Sequence, residues 1–375
     1  SRGLGDVYKR QIQLLFVKTE ELKQGMRLAK PIYSKTGVLL YGRDTKLTEQ
    51  GIASIKNFDL IGIYILEPAE PLPPMSDEDV EFERFQAMAV FGIKEDLQAL
   101  VSRKEPKNLE KMADLIIATY GRGYKKINFT QNLRSPEDYV YKHSLNVAIL
   151  CALIGRNMNE SYNDMRELVM AALIHDVLLL LVDNKIACSN EYNDDDRESV
   201  RIAFAEENNM LEMANIPQGI RRIIATVQRE VYGLGSNVYE GREKNLTTQA
   251  KILILADTYD RLTAMKLDEE PTSEFRVVKS LYEGNSVDRK LINALTASIN
   301  ILNPGVCVEL TNGEKGLVLT ENRDNLLKPV VLGFNNNKVY NLEQTNESVQ
   351  IKDIMKTMDN RTIIDKKTLE EAIRD

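Results

Sequence analysis

The chain has only two histidines in 375 residues, His143 and His175, so any imidazole chemistry rests on those two positions. It has three cysteines, Cys151, Cys188 and Cys307, odd in number, widely spaced and in no C-x-x-C arrangement. A disulfide framework is therefore not expected, and the cysteine usage points to a reducing, cytoplasmic setting. No apolar run approaches the ~20 residues needed to cross a bilayer. The longest, such as Val147 to Ile154 and Val177 to Val182, fall well short of it, so no membrane span is expected. A basic block is also missing. The 49 basic and 56 acidic side chains give a net charge of −7, spread along the chain, which argues against a nucleic-acid polymer as partner. There is no internal repeat and no low-complexity tract. The opening "SRGLGDVYKRQ" has no Met, no apolar core and no cleavage site of a secretory signal. It reads as a translated adapter, a non-native leader over residues 1–11 that contributes nothing to the expected fold.

What remains is an ordinary globular composition, 43% hydrophobic and 28% charged, long enough for two or three domains. Residues 12–67 mix short β-like runs with one helix. "PIYSKTGVLL" reads as two strands around Lys35-Thr36-Gly37, "LTEQGIASIKNF" as a helix capped by Thr48, and "IGIYIL" as a strand. This is a small α+β module. Pro68, Pro71, Pro73 and Pro74 crowd the next stretch, so residues 68–79 read as an extended spacer. From 80 to 300 the pattern is almost purely helical, giving a bundle of about eight or nine helices. After "LNPGVCVELTNGEKGLVL" the period switches to two, and Asn312-Gly313 is a two-residue hairpin signal. Residues 301–345 read as a small β appendage and 346–375 as a polar, helical tail. The fold class is mainly α.

The chemistry-bearing residues sit inside apolar helices. "AALIHDVLLLLVDNK" sets His175 beside Asp176 in a greasy run, and the helix "HSLNVAILCALIG" is apolar nearly all round after Asn146, so His143 enters the core. Asp257 is similarly embedded in "ILILADTYDRLT". An unpaired ionisable group in such places is costly, whereas imidazole nitrogens and carboxylate oxygens together suit Zn, Fe, Mn or Co. Adjacent residues on a helix lie about 100° apart. His175 and Asp176 would therefore reach one ion only at its flank, and further ligands must come from other helices. Plainer roles stay open: Asp257 salt-bridged to Lys251 or to Arg261 one turn on, His143 bonded to backbone, or a metal-free buried polar network.

In order, the chain reads "YVYKHSLNVAIL", "AALIHDV", "IPQGIRRII", "VYGLGSN" and "AKILILADTYDRLTA". This succession resembles the HD-GYP family, a bacterial branch of the HD phosphohydrolase superfamily, over roughly residues 132 to 300. "LKQGMRLAKPIYSKTGVLLYGRDTKLTEQGIASIKNFDLIGIYI" resembles the N-terminal module often joined to these domains, and "VELTNGEKGLVL" with "NRDNLLKPVV" their β tail. The resemblance implies an HD-type helical bundle and descent from metal-dependent phosphodiesterases that open cyclic di-GMP. It makes His143 the first family histidine, His175 and Asp176 the HD pair, and Asp257 the last aspartate ligand.

The same resemblance marks losses. Val177, Leu178 and Leu179 stand where the family continues with an aliphatic residue, Gly and Lys, so the catalytic lysine falls on Leu179. A family histidine ligand falls on Ala203, the paired histidines of the following segment on Val227 and Gln228, and the acid after them on Arg229. In the glycine-rich ligand loop Gly233 and Gly235 remain, but the family Tyr and Pro are Ser236 and Asn237. Two-metal catalysis needs both ions to clamp attacking and leaving oxygens. Family-type cyclic di-GMP hydrolysis is therefore expected to be weak or lost, with no catalytic residue set intact. The four survivors are expected to keep one divalent transition metal. The resulting expectation is a degenerate signalling protein that acts by binding a cyclic dinucleotide or a signalling protein, with a homodimer among its assemblies. The alternative is an active single-metal phosphohydrolase with an altered phosphoester substrate.

Overall fold

The computed structural model describes residues 13–33, 38–43, 45–56, 62–67, 76–123, 125–131, 134–233, 246–266, 271–284, 286–322, 325–335, 338–345 and 348–355. The leader, the turn Lys35-Thr36-Gly37, residues 68–75 of the Pro-rich spacer, Gly235 with Ser236 and Asn237, and residues 356–375 lie outside the described residues. The chain divides into two compact units, one of residues 1–84 with 301–375 and the other of residues 85–300.

In the first unit, β1 (Gln13–Lys18) runs antiparallel to β4 (Gly62–Glu67), with Gln13 opposite Glu67 and Lys18 opposite Gly62. β2 (Ile32–Tyr33) pairs with β3 (Leu39–Tyr41). Thr48 Oγ1 accepts from the Gly51 amide at 3.0 Å and starts α1 (Glu49–Lys56), as an N-cap should. Ile52 and Ile55, one turn apart, pack with Ile63 and Ile65 from alternate positions of β4 and with Val17, Leu28 and Leu47.

The C-terminal part is one antiparallel sheet in the order β8-β7-β6-β5-β9. Its strands are β5 (Cys307–Leu310), β6 (Lys315–Thr320), β7 (Val330–Gly333), β8 (Val339–Asn341) and β9 (Ile351–Ile354). Two expectations are corrected here. Asn312-Gly313 does not form a two-residue turn: Leu310 N bonds Glu314 O at 2.8 Å and closes a three-residue loop. Gly313 takes its left-handed place there at φ 81°, the geometry in which a glycine completes a bulge. The tail is not helical at 351–354. Ile351 and Asp353 alternate inward there, a period of two that pairs β9 with β5.

The remaining helices make up the second unit, except that the first of them starts before residue 85. α2 (Asp77–Val101) begins inside the stretch read as spacer, because Ser76 Oγ accepts from the Asp79 amide at 3.2 Å and three acids fill the first turn, where the helix dipole favours them. There follow α3 (Leu109–Tyr120), α4 (Tyr139–Asn157), α5 (Tyr162–Ile174), a 3-10 helix (Val177–Leu181), α6 (Asn184–Ala187), α7 (Asp194–Met213), α8 (Gln218–Val231), α9 (Thr248–Thr263), α10 (Glu274–Glu283) and α11 (Arg289–Thr296). Side-chain N-caps from Ser161, Asp183, Asn193, Thr247, Ser273 and Asp288 fix six of the starts. Among the described residues no helix is long and apolar enough to cross a membrane.

α4 is the axis of the bundle. From Tyr139 to Gly155 every residue except Lys142 is buried, and α3, α5, α9 and α11 pack around it. A helix covered on all sides has no face left for polar residues unless they are partnered. α8 closes the group against α5 and α9. Leu150 on α4 is fully buried, so Leu150→Ala should lower the unfolding free energy by about 2–5 kcal/mol. A urea titration would show it as an earlier midpoint with unchanged slope.

Candidate metal centre

Three helices bring the four expected side chains to one point. His143 stands in the second turn of α4 and Asp257 near the middle of α9. The His-Asp pair is not carried on a continuous helix as the sequence suggested. α5 ends at Ile174, His175 is its C-cap, and Asp176 turns off with φ −112° and ψ 20° into the 3-10 helix. That change of backbone direction removes the 100° separation and lets both side chains face the same place.

His143 Nε2 lies 3.0 Å from Asp257 Oδ1 and 3.3 Å from Asp176 Oδ2. His175 Nε2 lies 3.2 Å and 3.7 Å from the same two oxygens. All four residues are at most 1% exposed, and their ligand atoms lie within 4.8 Å of one another, a group that can hold a metal ion.

The far side of each ring is committed. His175 Nδ1 sits 2.7 Å from the Ala172 carbonyl, an acceptor only, so Nδ1 carries the proton and Nε2 points inward. His143 Nδ1 sits 2.6 Å from Asp260 Oδ2. Asp260 is gripped by Arg134, Nη1 to Oδ2 at 2.6 Å and Nη2 to Oδ1 at 2.7 Å. Gln131 and Asn146 also donate to Asp260 Oδ1. Burial alone would raise the Asp260 pKa, but the Arg134 charge and the His143 contact outweigh it and hold the carboxyl well below its usual range.

Two ring nitrogens and two carboxylate oxygens thus face one another and need positive charge between them. Part of that need falls on His143. Burial and the Arg261 charge oppose its imidazolium, yet hydrogen bonds with Asp176, Asp257 and Asp260 push its pKa up to about 9. The donor set also fits one divalent ion. Ligands at about 2.1 Å on a tetrahedral centre stand about 3.4 Å apart, close to the spacings of 3.0 to 3.7 Å between imidazoles and carboxylates. Two histidines with two aspartates suit Zn, Fe, Mn or Co.

Arg261, one turn beyond Asp257, completes the site. Its Nε donates to Asp257 Oδ1 at 2.9 Å and Oδ2 at 3.1 Å, and its Nη2 donates to Asp176 Oδ2 and to Tyr232 Oη. Tyr232 Oη in turn donates to Asp176 Oδ1 at 2.6 Å. For both aspartates burial opposes ionisation, and Arg261 is the first of the charges that overcome it and hold their pKa values low. The paired role weighed for Asp257 and its place beside the histidines therefore hold at once, through Arg261 and not through Lys251, which is exposed.

The positions read as lost ligands are buried. Ala203 and Val227 put apolar side chains on α7 and α8. Gln228 donates through Nε2 to the His175 carbonyl and, at 2.9 Å, to Glu207 Oε1, which also accepts from the Leu178 amide at 3.2 Å. Arg229 stands over the Phe204 ring at 5.8 Å, and Leu179 is buried in the 3-10 helix. Gly233 follows α8 at φ 61°, a left-handed turn that glycine adopts without strain. Asp260, Arg134, Tyr232 and Glu207 were not singled out in the sequence. Asp260 alone had a local signal, standing at i+3 from Asp257 as Arg261 stands at i+4.

Residues 140–262 match the family model of the HD domain, a span that contains all four converging side chains. No curated protein matches the chain. Among solved structures, Bd1817, described as a HDG"Y"P protein from Bdellovibrio bacteriovorus, is 13% identical, covers 75% of this chain and 98% of its own, and superposes with a TM-score of 0.41. At that level the likeness supports no assignment. The helical unit thus contains an HD domain, assigned from the family match.

Two tests address the site's supports. Arg134 and Asp260 are both fully buried, so Arg134→Met strands a carboxylate and should cost about 3–5 kcal/mol in chemical denaturation. Glu207 is pushed up to about 8, by burial first and the Asp176 charge next, against the hydrogen bonds from Gln228 and Leu178. Its stabilising contribution is whole below the ordinary carboxyl value of 4.5 and is lost as pH rises through about 8. Unfolding free energy measured from pH 5 to 9 should fall with pH in the native protein and fall less in Glu207→Gln.

Proposed function

We propose that this HD domain is a catalytically degenerate relative of the HD-GYP phosphodiesterases that keeps a one-ion centre and acts by binding a ligand or a partner. One observation carries the reading: the site is half built. His143, His175, Asp176 and Asp257 converge with the spacing of a four-coordinate ion, while Ala203, Val227, Gln228 and Leu179 supply neither the further ligands nor the lysine that the resemblance requires. Bound there, a divalent ion would supply Lewis-acid character and acidify its water.

The protein's own groups support a holding role more than a reactive one. Asp260 and the Ala172 carbonyl keep both imidazoles turned inward. Arg261 and Tyr232 cover Asp176 and Asp257, and none of these residues is more than 9% exposed, so among the described residues the four donors are shielded from solvent. The proposed occupants are a cyclic dinucleotide or a signalling protein, with self-association as a homodimer.

The reading is tested by the metal content of the purified protein and of His175→Ala, with turnover assays on cyclic di-GMP and on simple phosphoesters. About one equivalent of metal, lost in the variant, with no turnover is expected. Metal-dependent turnover of a simple phosphoester that the variant abolishes would establish the alternative, an active single-metal phosphohydrolase. Absence of metal under every reconstitution condition would overturn both.

A further inference from the structure

Arg261 makes contacts that a structural salt bridge does not require. Its guanidinium spans the two carboxylates on which the centre depends, Nε on Asp257 and Nη2 on Asp176. It also donates to Tyr232 Oη and lies 5.2 Å from that ring's centroid. Tyr232 then reaches Asp176 Oδ1, the oxygen turned away from both histidines. Arg134 cannot share this work, because both its terminal nitrogens are spent on Asp260 and Gln131. A bridge between two carboxylates, made by a planar fork of fixed positive charge, is the arrangement a second divalent ion would produce.

We propose that Arg261 is a built-in cation: its guanidinium bridges Asp176 and Asp257 through the same oxygens that face the histidines, opposes any further ion on those two carboxylates, and with Tyr232 covers them. The inference rests on the one-ion reading above and gives the buried aspartates a counter-charge that belongs to the chain itself. Lysine would not substitute, since a point charge cannot reach both carboxylates in a fixed plane.

The test compares native protein, Arg261→Ala and Arg261→Lys by thermal unfolding in chelator and with added Zn2+, alongside zinc titration and elemental analysis. In chelator, Arg261→Ala should melt on the order of 10 °C below the native protein, because two buried carboxylates lose their cation. Zinc should restore most of that loss in the variant while moving the native midpoint less, and zinc affinity should rise roughly tenfold or more. If Arg261→Ala does not fold, Arg261→Lys decides: a lower midpoint in chelator, rescued by zinc, supports the bridge. Native-like behaviour of Arg261→Lys in both conditions would overturn it.

Equal melting of native protein and Arg261→Ala in chelator, with unchanged zinc affinity, would likewise overturn it. So would about two zinc equivalents in the native protein, and that result would leave the metal centre itself standing. No zinc in the native protein, with the chelator loss still present in Arg261→Ala, would remove the one-ion reading and keep the built-in cation.

Discussion

A single carboxylate oxygen, Asp257 Oδ1, is approached from three sides: by His143 Nε2 at 3.0 Å, His175 Nε2 at 3.2 Å and Arg261 Nε at 2.9 Å. These groups belong to α4, to the end of α5 and to α9, so the oxygen marks where the three innermost helices of the bundle meet. A buried carboxylate is tolerable only when its lone pairs are taken up. Here that condition fixes how the helices meet as much as the surrounding leucines do.

The partners of that oxygen are themselves held from behind by further hydrogen bonds. Arg134 keeps Asp260 ionised, Asp260 keeps the His143 ring turned, and Gln131, Asn146 and Gln86 extend the chain of hydrogen bonds toward α2. On the other flank Glu207 and Gln228 tie α7 and α8 to the start of the 3-10 helix. A network of this kind is worth most when complete, and each deletion uncovers a buried group.

Much of this was legible in the letters. The 3.6-residue period exposed the bundle, the all-apolar text after Asn146 marked α4 as central, and the only two histidines had to meet if they were to do chemistry. The signal failed where backbone direction changes within one residue: nothing local says that the helix ends at His175 and that Asp176 leaves it. It also failed for pairs made across the chain, since Arg134 and Asp260 are 126 positions apart and no periodicity joins them. The stretch 351–354 misled for the opposite reason. Its alternation covers only four residues inside a polar tail, and only pairing with β5 gives the buried Ile351 its place.

Gln228 illustrates how a buried position becomes hard to exchange. Its amide caps the buried His175 carbonyl at the end of α5 and supplies a donor to Glu207, so the position read as a lost ligand has a bracing duty of its own. A histidine returned there would uncap that carbonyl and strip Glu207 of a partner before it met any ion. Any exchange at Gln228 therefore removes two hydrogen bonds from a fully buried position.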